Sequence, residues 1–409
     1  MTRYSLLALS LALCSTGAVA QGPGLPDEPL VQAALDDHPS VVAARARAQA
    51  ARAEADALRK GPHEFNFVGS YIRRSVDLQG EFNEYDASLT RPIRLPGKGR
   101  LDREIGQYGV EAADNLAEDA KHQTALLLAG LWFDWVGASA QARVDQTAVG
   151  NYERALAALV RRVELGDAAQ LDADLARAAL GNAKTIAERS QGEANLARAR
   201  LSAQFPSLPL AETAPDLPVP DMADPELVEL RNKVEDNSHE IAAAEAEARR
   251  RASMADRAQR ERTADPSVGV RLFSERGGEE KGAGLVFSMP LGGGQRRALA
   301  DRAAADRMAA DAELNLARFA VTETAESDLA SARYRIAAWQ RARESLDAQV
   351  AAVVKLRRGY ELGEIDLSEL LLGERLAHDA FREEAIARAD AQRAITRLRI
   401  DSHELWLAD

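Results

Sequence analysis

Two hydrophobic periodicities divide this chain. Most of it places apolar residues three or four positions apart, the spacing of one helix face, while two short regions switch to alternation. In His63–Arg74, Phe65, Phe67 and Tyr71 share one face and Asn66 and Ser70 the other. In Glu84–Ile93, Tyr85, Ala87 and Leu89 oppose Asp86, Ser88 and Thr90, and the turn-like LQGEFN lies between the two segments. This pattern predicts a β-hairpin over 64–93. A second hairpin is predicted over 266–291, from PSVGVRLFSE and GAGLVFSMPL around the turn RGGEEK.

The helical segments are long. From Pro29 to Lys60 the chain is rich in Ala and Arg and ends at Gly61-Pro62, which predicts a helix of roughly 30 residues. Arg100–Leu165 has no proline and predicts one helix of about 65 residues, near 100 Å long, with a point of slack at Gly137. Val149, Tyr152, Leu156, Leu159 and Val163 form a heptad seam near its end, echoed by Leu346, Val353, Leu356 and Tyr360 in a second long helix over 295–362. Shorter helices run to about Phe205 and Leu405, and a further one ends near Arg262. Two half-length helices stacked end to end match one long helix, so the pattern predicts a cylinder wall.

The chain is also duplicated at an offset of about 200 residues. DDHPSVVAARARAQAARAEAD, from Asp36, corresponds to EDNSHEIAAAEAEARRRASMAD, from Glu235. Ser88–Arg100 (SLTRPIRLPGKGR) corresponds to Val286–Arg297 (VFSMPLGGGQRR), and the ELG tripeptide at 164–166 to that at 361–363. The division is then a first repeat over 21–205 with its tip at 164–168, a Pro-rich acidic linker over 206–225, and a second repeat over 226–409 with its tip at 361–366.

Composition narrows the setting. Residues 1–20 read as a secretory signal: Arg3, an apolar stretch from Leu6 to Leu13, then Ala18-Val19-Ala20. Cys14 follows Leu13, where a lipid-attachment site needs a small side chain, and its loss leaves a chain without disulfides or thiolate metal ligands. The net charge of −12 becomes −13 without Arg3, which argues against a nucleic-acid partner. After the signal no apolar run of about 20 residues exists, so any membrane insertion must use strands. Lipid-exposed strand edges are costly, and the strands of two hairpins cannot close a barrel with a lumen. Several subunits must share one, and three copies would give about twelve strands.

Chemistry is sparse. LPGKGR lacks the glycine spacing and the Ser or Thr after Lys98 that a phosphate loop needs, so it reads as a strand-to-helix turn. His38, His63, His122, His239, His378 and His403 lie far apart in sequence without ligand spacing, so no metal site or cofactor is expected. Trp132, Phe133 and Trp135 read as wall packing, and no residues assemble an enzyme's nucleophile and base.

With the duplicated layout, RPIRLPGKGR, MPLGGGQRR and the two ELG turns on the page, the chain resembles the TolC family of outer-membrane efflux channels. LPGKGR and the short linker most resemble its heavy-metal, CzcC-like branch. The resemblance implies a mainly α fold with a small β part: a long helical coiled-coil barrel, and four strands contributed to a trimeric, 12-stranded transmembrane β-barrel. It implies a homotrimer in outer-membrane lipid with a large periplasmic portion, working with a periplasmic adaptor protein and an inner-membrane RND-type pump. By the same resemblance Val163, Glu164, Leu165, Gly166 and Asp167, with Tyr360, Glu361, Leu362, Gly363, Glu364 and Ile365, would form the periplasmic gate and adaptor groove. Tyr360 matches a locking tyrosine, but Ile365 stands where its basic partner is usual, which puts the lock in doubt. Glu369 matches a lumen-facing acid, and Leu372 replaces the next one. The alternative reading is a soluble periplasmic coiled-coil adaptor or scaffold.

Overall fold

The computed structural model describes residues 24–407, and the predicted signal and Cys14 lie outside them. Helices α1 (Glu28–Asp36) and α2 (Pro39–Lys60) lead into strands β1 (Asn66–Val76) and β2 (Gly80–Pro92), then helix α3 (Lys98–Glu164) and its return α4 (Gln170–Gln204). An irregular linker follows. The second half repeats the order: α5 (Asp224–Asp236), α6 (His239–Glu261), β3 (Ser267–Glu275), β4 (Glu280–Ser288), α7 (Gly294–Leu362) and α8 (Leu367–Asp401).

One expectation fails in both halves at the same place. The predicted continuous helix over 29–60 is two helices, because Pro39 lacks an N–H and holds His38 extended (φ −66°, ψ 134°). In the second half Asn237-Ser238 interrupts the helix, and the Ser238 hydroxyl caps α6 by accepting from the Ile241 N–H at 3.2 Å.

α3 has 67 residues and α7 has 69, each about 100 Å long at 1.5 Å per residue. α2 packs along the upper part of α3 and α4 along the lower part, as α6 and α8 do along α7, while α3 also touches α6 and α8. Each rod thus has two half-rods beside it. Alanines face the rods along α4 (Ala173, Ala176, Ala183, Ala187, Ala194 and Ala197), so the backbones approach closely. Gly137 is a contact rather than a slack point: α3 is unbroken there, and a Cβ would sit 3.2 Å from the Ala389 methyl.

The sheet is antiparallel in the order β1-β2-β3-β4, and the β2–β3 ladder joins the two repeats. Phe67 lies opposite Leu89, Leu89 opposite Val270, and Val270 opposite Leu285. One face therefore carries Phe67, Tyr71, Tyr85, Leu89, Val270, Leu272, Leu285 and Phe287, all exposed. Ser70, Asp86, Ser88 and Arg271 lie on the other, where Arg271 donates to Asp86 at 2.5 Å. Among the described residues, the outer edges of β1 and β4 meet no further strand.

The largest apolar core lies at the waist, where Val31 and Leu35 of α1, Leu128, Trp132, Phe133 and Val136 of α3, and Leu201, Phe205, Leu217 and Trp406 converge. Trp132 and Trp135 meet edge to face at 5.2 Å, and the Trp132 indole donates to the Gly24 carbonyl at 2.9 Å. The aromatic cluster is wall packing, as its spacing suggested. No helix among the described residues is long and apolar enough to cross a membrane.

Candidate functional site

The two hairpin tips close with the same backbone geometry. At the first, the Gly166 N–H donates to the Val163 carbonyl (3.0 Å) and the Asp167 N–H to that of Arg162 (2.8 Å). At the second, the Gly363 N–H donates to Tyr360 (3.0 Å) and the Glu364 N–H to Gly359 (2.9 Å). This paired closure of a helix end needs a left-handed residue, and Gly166 (φ 80°) and Gly363 (φ 74°) supply it without a Cβ penalty. Leu165 and Leu362, just before each glycine, are 59% and 57% exposed. Each tip thus presents a leucine to solvent.

Beneath those leucines the tips are tied together. Leu159, Ala176, Leu367 and Leu370 form a small core to which Leu356, Tyr360 and Ile365 add partly buried surface. Ile365 packs inward, against Gly359, instead of supplying a cation. The cation comes from the other repeat: Arg162 Nη1 donates to the Tyr360 hydroxyl at 3.1 Å, and its guanidinium lies 5.6 Å from the ring centre. Arg162 also donates to the Asp167 carbonyl at 3.3 Å. The doubt over Tyr360's partner therefore resolves within one chain, through a residue the sequence reading passed over. Arg161-Arg162 stands one residue ahead of its ELG turn and Arg357-Arg358 two residues ahead of the other, and that doublet was the available signal.

The tip carboxylates differ in their partners. Glu164 pairs with Arg161 at 2.9 Å and Glu361 with Arg358 at 3.1 Å, whereas Asp167 and Glu364 are exposed and Val163 is half-buried. Glu369 is exposed in the first turn of α8, where Asp366 caps its backbone N–H at 2.9 Å and no ion pair among the described residues engages its side chain. A carboxylate there is favoured by the helix dipole alone. Leu372, one turn on, is exposed as well.

A second polar centre lies where the sheet meets the rods. Lys98 is only 1% exposed, yet its ammonium donates to Thr263 O (2.8 Å) and Asp265 Oδ1 (2.8 Å) and lies 3.0 Å from Glu261 Oε2. Asp265 also accepts from the Leu95 N–H at 3.0 Å and lies 3.3 Å from His63 Nε2. LPGKGR is therefore a turn whose lysine clamps the first repeat to the second. Burial pulls the Asp265 carboxyl upward, but the Lys98, Leu95 and His63 hydrogen bonds outweigh it and hold it below its ordinary value.

The histidines do not stay apart. His122, His239 and His403 converge beside Asp119, Glu240 and Asp401, with ring centres 5.3 Å apart for His122 and His403 and 4.8 Å for His239 and His403. His378 lies elsewhere, buried 2.7 Å from Asp145, and His38 caps α2. Sequence spacing missed the convergence because α3, α6 and the end of α8 come together only through the duplicated packing.

The family profile described as outer membrane efflux protein matches residues 30–204. The fold is similar to that of VceC, the outer membrane protein from Vibrio cholerae, with 16% identity, 93% of this chain and 95% of that chain covered, and a TM-score of 0.73. It is also similar to the open-state MtrE outer membrane channel of Neisseria gonorrhoeae (16% identity, 93% and 89%, TM-score 0.71) and to the Campylobacter jejuni CmeC outer membrane channel (14% identity, 93% and 86%, TM-score 0.69). No curated protein matches the sequence. The chain has the fold of the outer-membrane efflux channels. In that fold the open-edged sheet and the closed hairpin tips lie at opposite ends of the rods.

Proposed function

We propose that three copies of this chain form a passive outer-membrane conduit, the exit channel of a tripartite efflux system. The observation that carries this reading is the sheet: four strands, one exposed apolar face, one polar face and two open edges. An apolar face suits lipid, whereas a bare strand edge does not. Three such sheets joined edge to edge make a barrel of about twelve strands with a polar lumen, continued by the rods through the periplasm. The soluble-scaffold alternative has no use for this exposed face, and the similar structures are themselves channels.

The tips then form the periplasmic entrance. Leu165 and Leu362 are the docking contacts for a periplasmic adaptor, and Arg162 with Tyr360 holds the paired hairpins closed. An inner-membrane RND-type pump supplies the energy and chooses the cargo, for which the CzcC-like wording of LPGKGR favours heavy-metal cations. Three Glu369 carboxylates, one from each copy, would ring the constriction and favour cations.

Reconstitution into planar lipid bilayers tests the conduit. A cation-preferring conductance is expected, and a protein that yields no conductance overturns the reading. Glu369→Gln should reduce the cation preference, and an unchanged preference removes Glu369 from the gate. Survival of a deletion strain on zinc, cobalt, cadmium, copper and organic drugs tests the cargo. Sensitivity to drugs alone refutes the metal assignment.

A further inference from the structure

The cluster around His122 lies inside the wall, away from the tips and the sheet. Asp119, His122 and Glu240 each direct one ligand atom to a common point, all within 4.8 Å of one another. His122 is 8% exposed. Its Nε2 lies 2.8 Å from Asp401 Oδ1, and Asp401 is 3% exposed. With Nε2 turned to Asp401, Nδ1 is the ring nitrogen that faces Asp119, whose Oδ1 is 4.0 Å away. A carboxylate behind one imidazole nitrogen with the other left open is the standard support for a metal-ligating histidine.

The oxygen ligands are supported too. The Gln123 amide donates to Glu240 Oε1 at 3.1 Å and to Asp119 Oδ1 at 3.3 Å, so one side chain holds both carboxylates side by side. Glu240 opens α6, and Ser238 beside it caps that helix, which accounts for one acidic residue at a helix start. Capping does not account for Asp119 and His122 converging from α3. Behind His122, Asp401 is held in turn by Asp328, with which it shares a hydrogen bond, and by Arg397, which lies 2.9 Å from Asp328 Oδ1 and 3.5 Å from Asp401 Oδ2. His122, Glu240, Asp401 and His403 line the same small cavity, of about 170 Å³.

His403 shows a further departure. The end of α8 closes as the tips do, with the His403 N–H on Ile400 O (2.9 Å) and the Glu404 N–H on Arg399 O (2.9 Å). The tips place glycine at the left-handed position; here a histidine holds φ 63°. Non-glycine residues persist in that region where the surroundings impose them, commonly at functional sites. The imidazole so placed packs at a tilt against both His122 and His239.

We propose that Asp119, His122 and Glu240 form a binding site for a resident divalent transition-metal cation of the zinc type, with Asp401 and Gln123 as supporting groups. A mixed imidazole and carboxylate set selects such an ion over magnesium or calcium, which prefer oxygen alone. Asp119 and His122 belong to the first repeat and Glu240 to the second, so the ion bridges the two beside the break between α5 and α6. It is a structural link within the wall, distinct from any cargo in the lumen.

The test is zinc titration of the detergent-solubilised, chelator-stripped protein carrying no histidine tag, by calorimetry, with Co(II) absorption reporting the ligand set. One ion per chain is expected, with a rise in Tm, and both Glu240→Gln and His122→Gln should weaken binding at least tenfold. Asp119→Asn provides a third, less buried variant, and circular dichroism establishes that each is folded. A Glu188→Gln protein, altered at an exposed carboxylate of α4, should bind zinc as the parent does. Absence of a stoichiometric site overturns the proposal, as does zinc binding that survives the Glu240 and His122 substitutions. Conductance takes no part in this readout, so the site and the conduit stand or fall separately.

Discussion

Lys98→Met should be among the most damaging single substitutions outside the apolar core. Each ammonium hydrogen has an oxygen partner, from Thr263, Asp265 and Glu261, and the side chain is 1% exposed. Methionine keeps the stem but leaves Asp265 a largely buried carboxylate supported only by Leu95 and His63. Removing one partner of a buried pair costs about 3–5 kcal/mol, far above an exposed surface pair. Guanidinium unfolding of the detergent-solubilised protein, followed by Trp132, Trp135 and Trp406 fluorescence, measures the loss. Asp265→Asn closes a double-mutant cycle, in which the pair should show a coupling of about 2 kcal/mol. The effect should also depend on pH. Burial pulls Asp265 and Glu261 upward, but hydrogen bonds led by Lys98 for Asp265 and by Arg257 for Glu261 hold both folded pKa values below 3.8 and 4.5. Their contribution is therefore present above those unfolded values and lost as the pH falls through the folded ones. The Lys98→Met and parent curves should draw together in acid. A loss below about 1 kcal/mol at neutral pH, or no coupling to Asp265, refutes the clamp.

Three further outcomes follow from the tips and the seams. Gly363→Ala meets no atom within 4 Å, so its cost is the left-handed backbone alone, about 1 kcal/mol; amide exchange at Glu364 should quicken roughly fivefold, and unchanged exchange counts against the strain. Arg162→Ala removes an exposed contact worth up to about 1 kcal/mol and should raise the open fraction of reconstituted channels, as should Tyr360→Phe, whereas unaltered gating means the pair is only packing. Gly294→Lys supplies in the second repeat the counterpart of Lys98, which in the proposed trimer would face Glu64 of a neighbouring copy, and should raise the temperature at which that trimer dissociates on native gels. Combination with Glu64→Ala should cancel that rise; if it does not, the two residues do not meet.

The parts of the fold that could be read from sequence are those governed by local periodicity. Alternation at Phe67, Tyr71, Tyr85 and Leu89 placed these side chains on one face, and the register puts Phe67 opposite Leu89 and Tyr71 opposite Tyr85. Helix lengths were legible because Ala, Leu, Arg and Glu run without proline from Arg100 to Leu165. The breaks at His38 and Ser238 were less so, because apolar spacing continues across them; Pro39 and the Ser238 cap decide them locally. Contacts between repeats were not legible. Lys98 finds Asp265, Arg162 finds Tyr360 and His122 finds Asp401 across well over 150 positions, and no local pattern encodes such pairings.

The two repeats do not make equivalent junctions, and the difference bears on assembly. Inside the chain, β2 pairs with β3, and directly beneath that ladder Lys98 binds Thr263 and Asp265. In the proposed trimer the matching ladder joins β4 of one copy to β1 of the next. At the first helical position after the turn, α3 has Lys98 and α7 has Gly294; ahead of the strand, β3 has Asp265 where β1 has Glu64. The acid is kept and the lysine is not. A charge clamp thus fixes the internal seam, which forms once as the chain folds, while the proposed seam between copies would rely on strand pairing and apolar contact. A fixed lysine on that open edge, unpaired before assembly, would have to lose its water as the copies meet, which slows association even where the completed pair with Glu64 strengthens the finished assembly. Glycine avoids that cost. The duplication therefore supplies the same shape twice, and in the proposed trimer the difference between Lys98 and Gly294 would let one copy of the seam close by folding and the other by association.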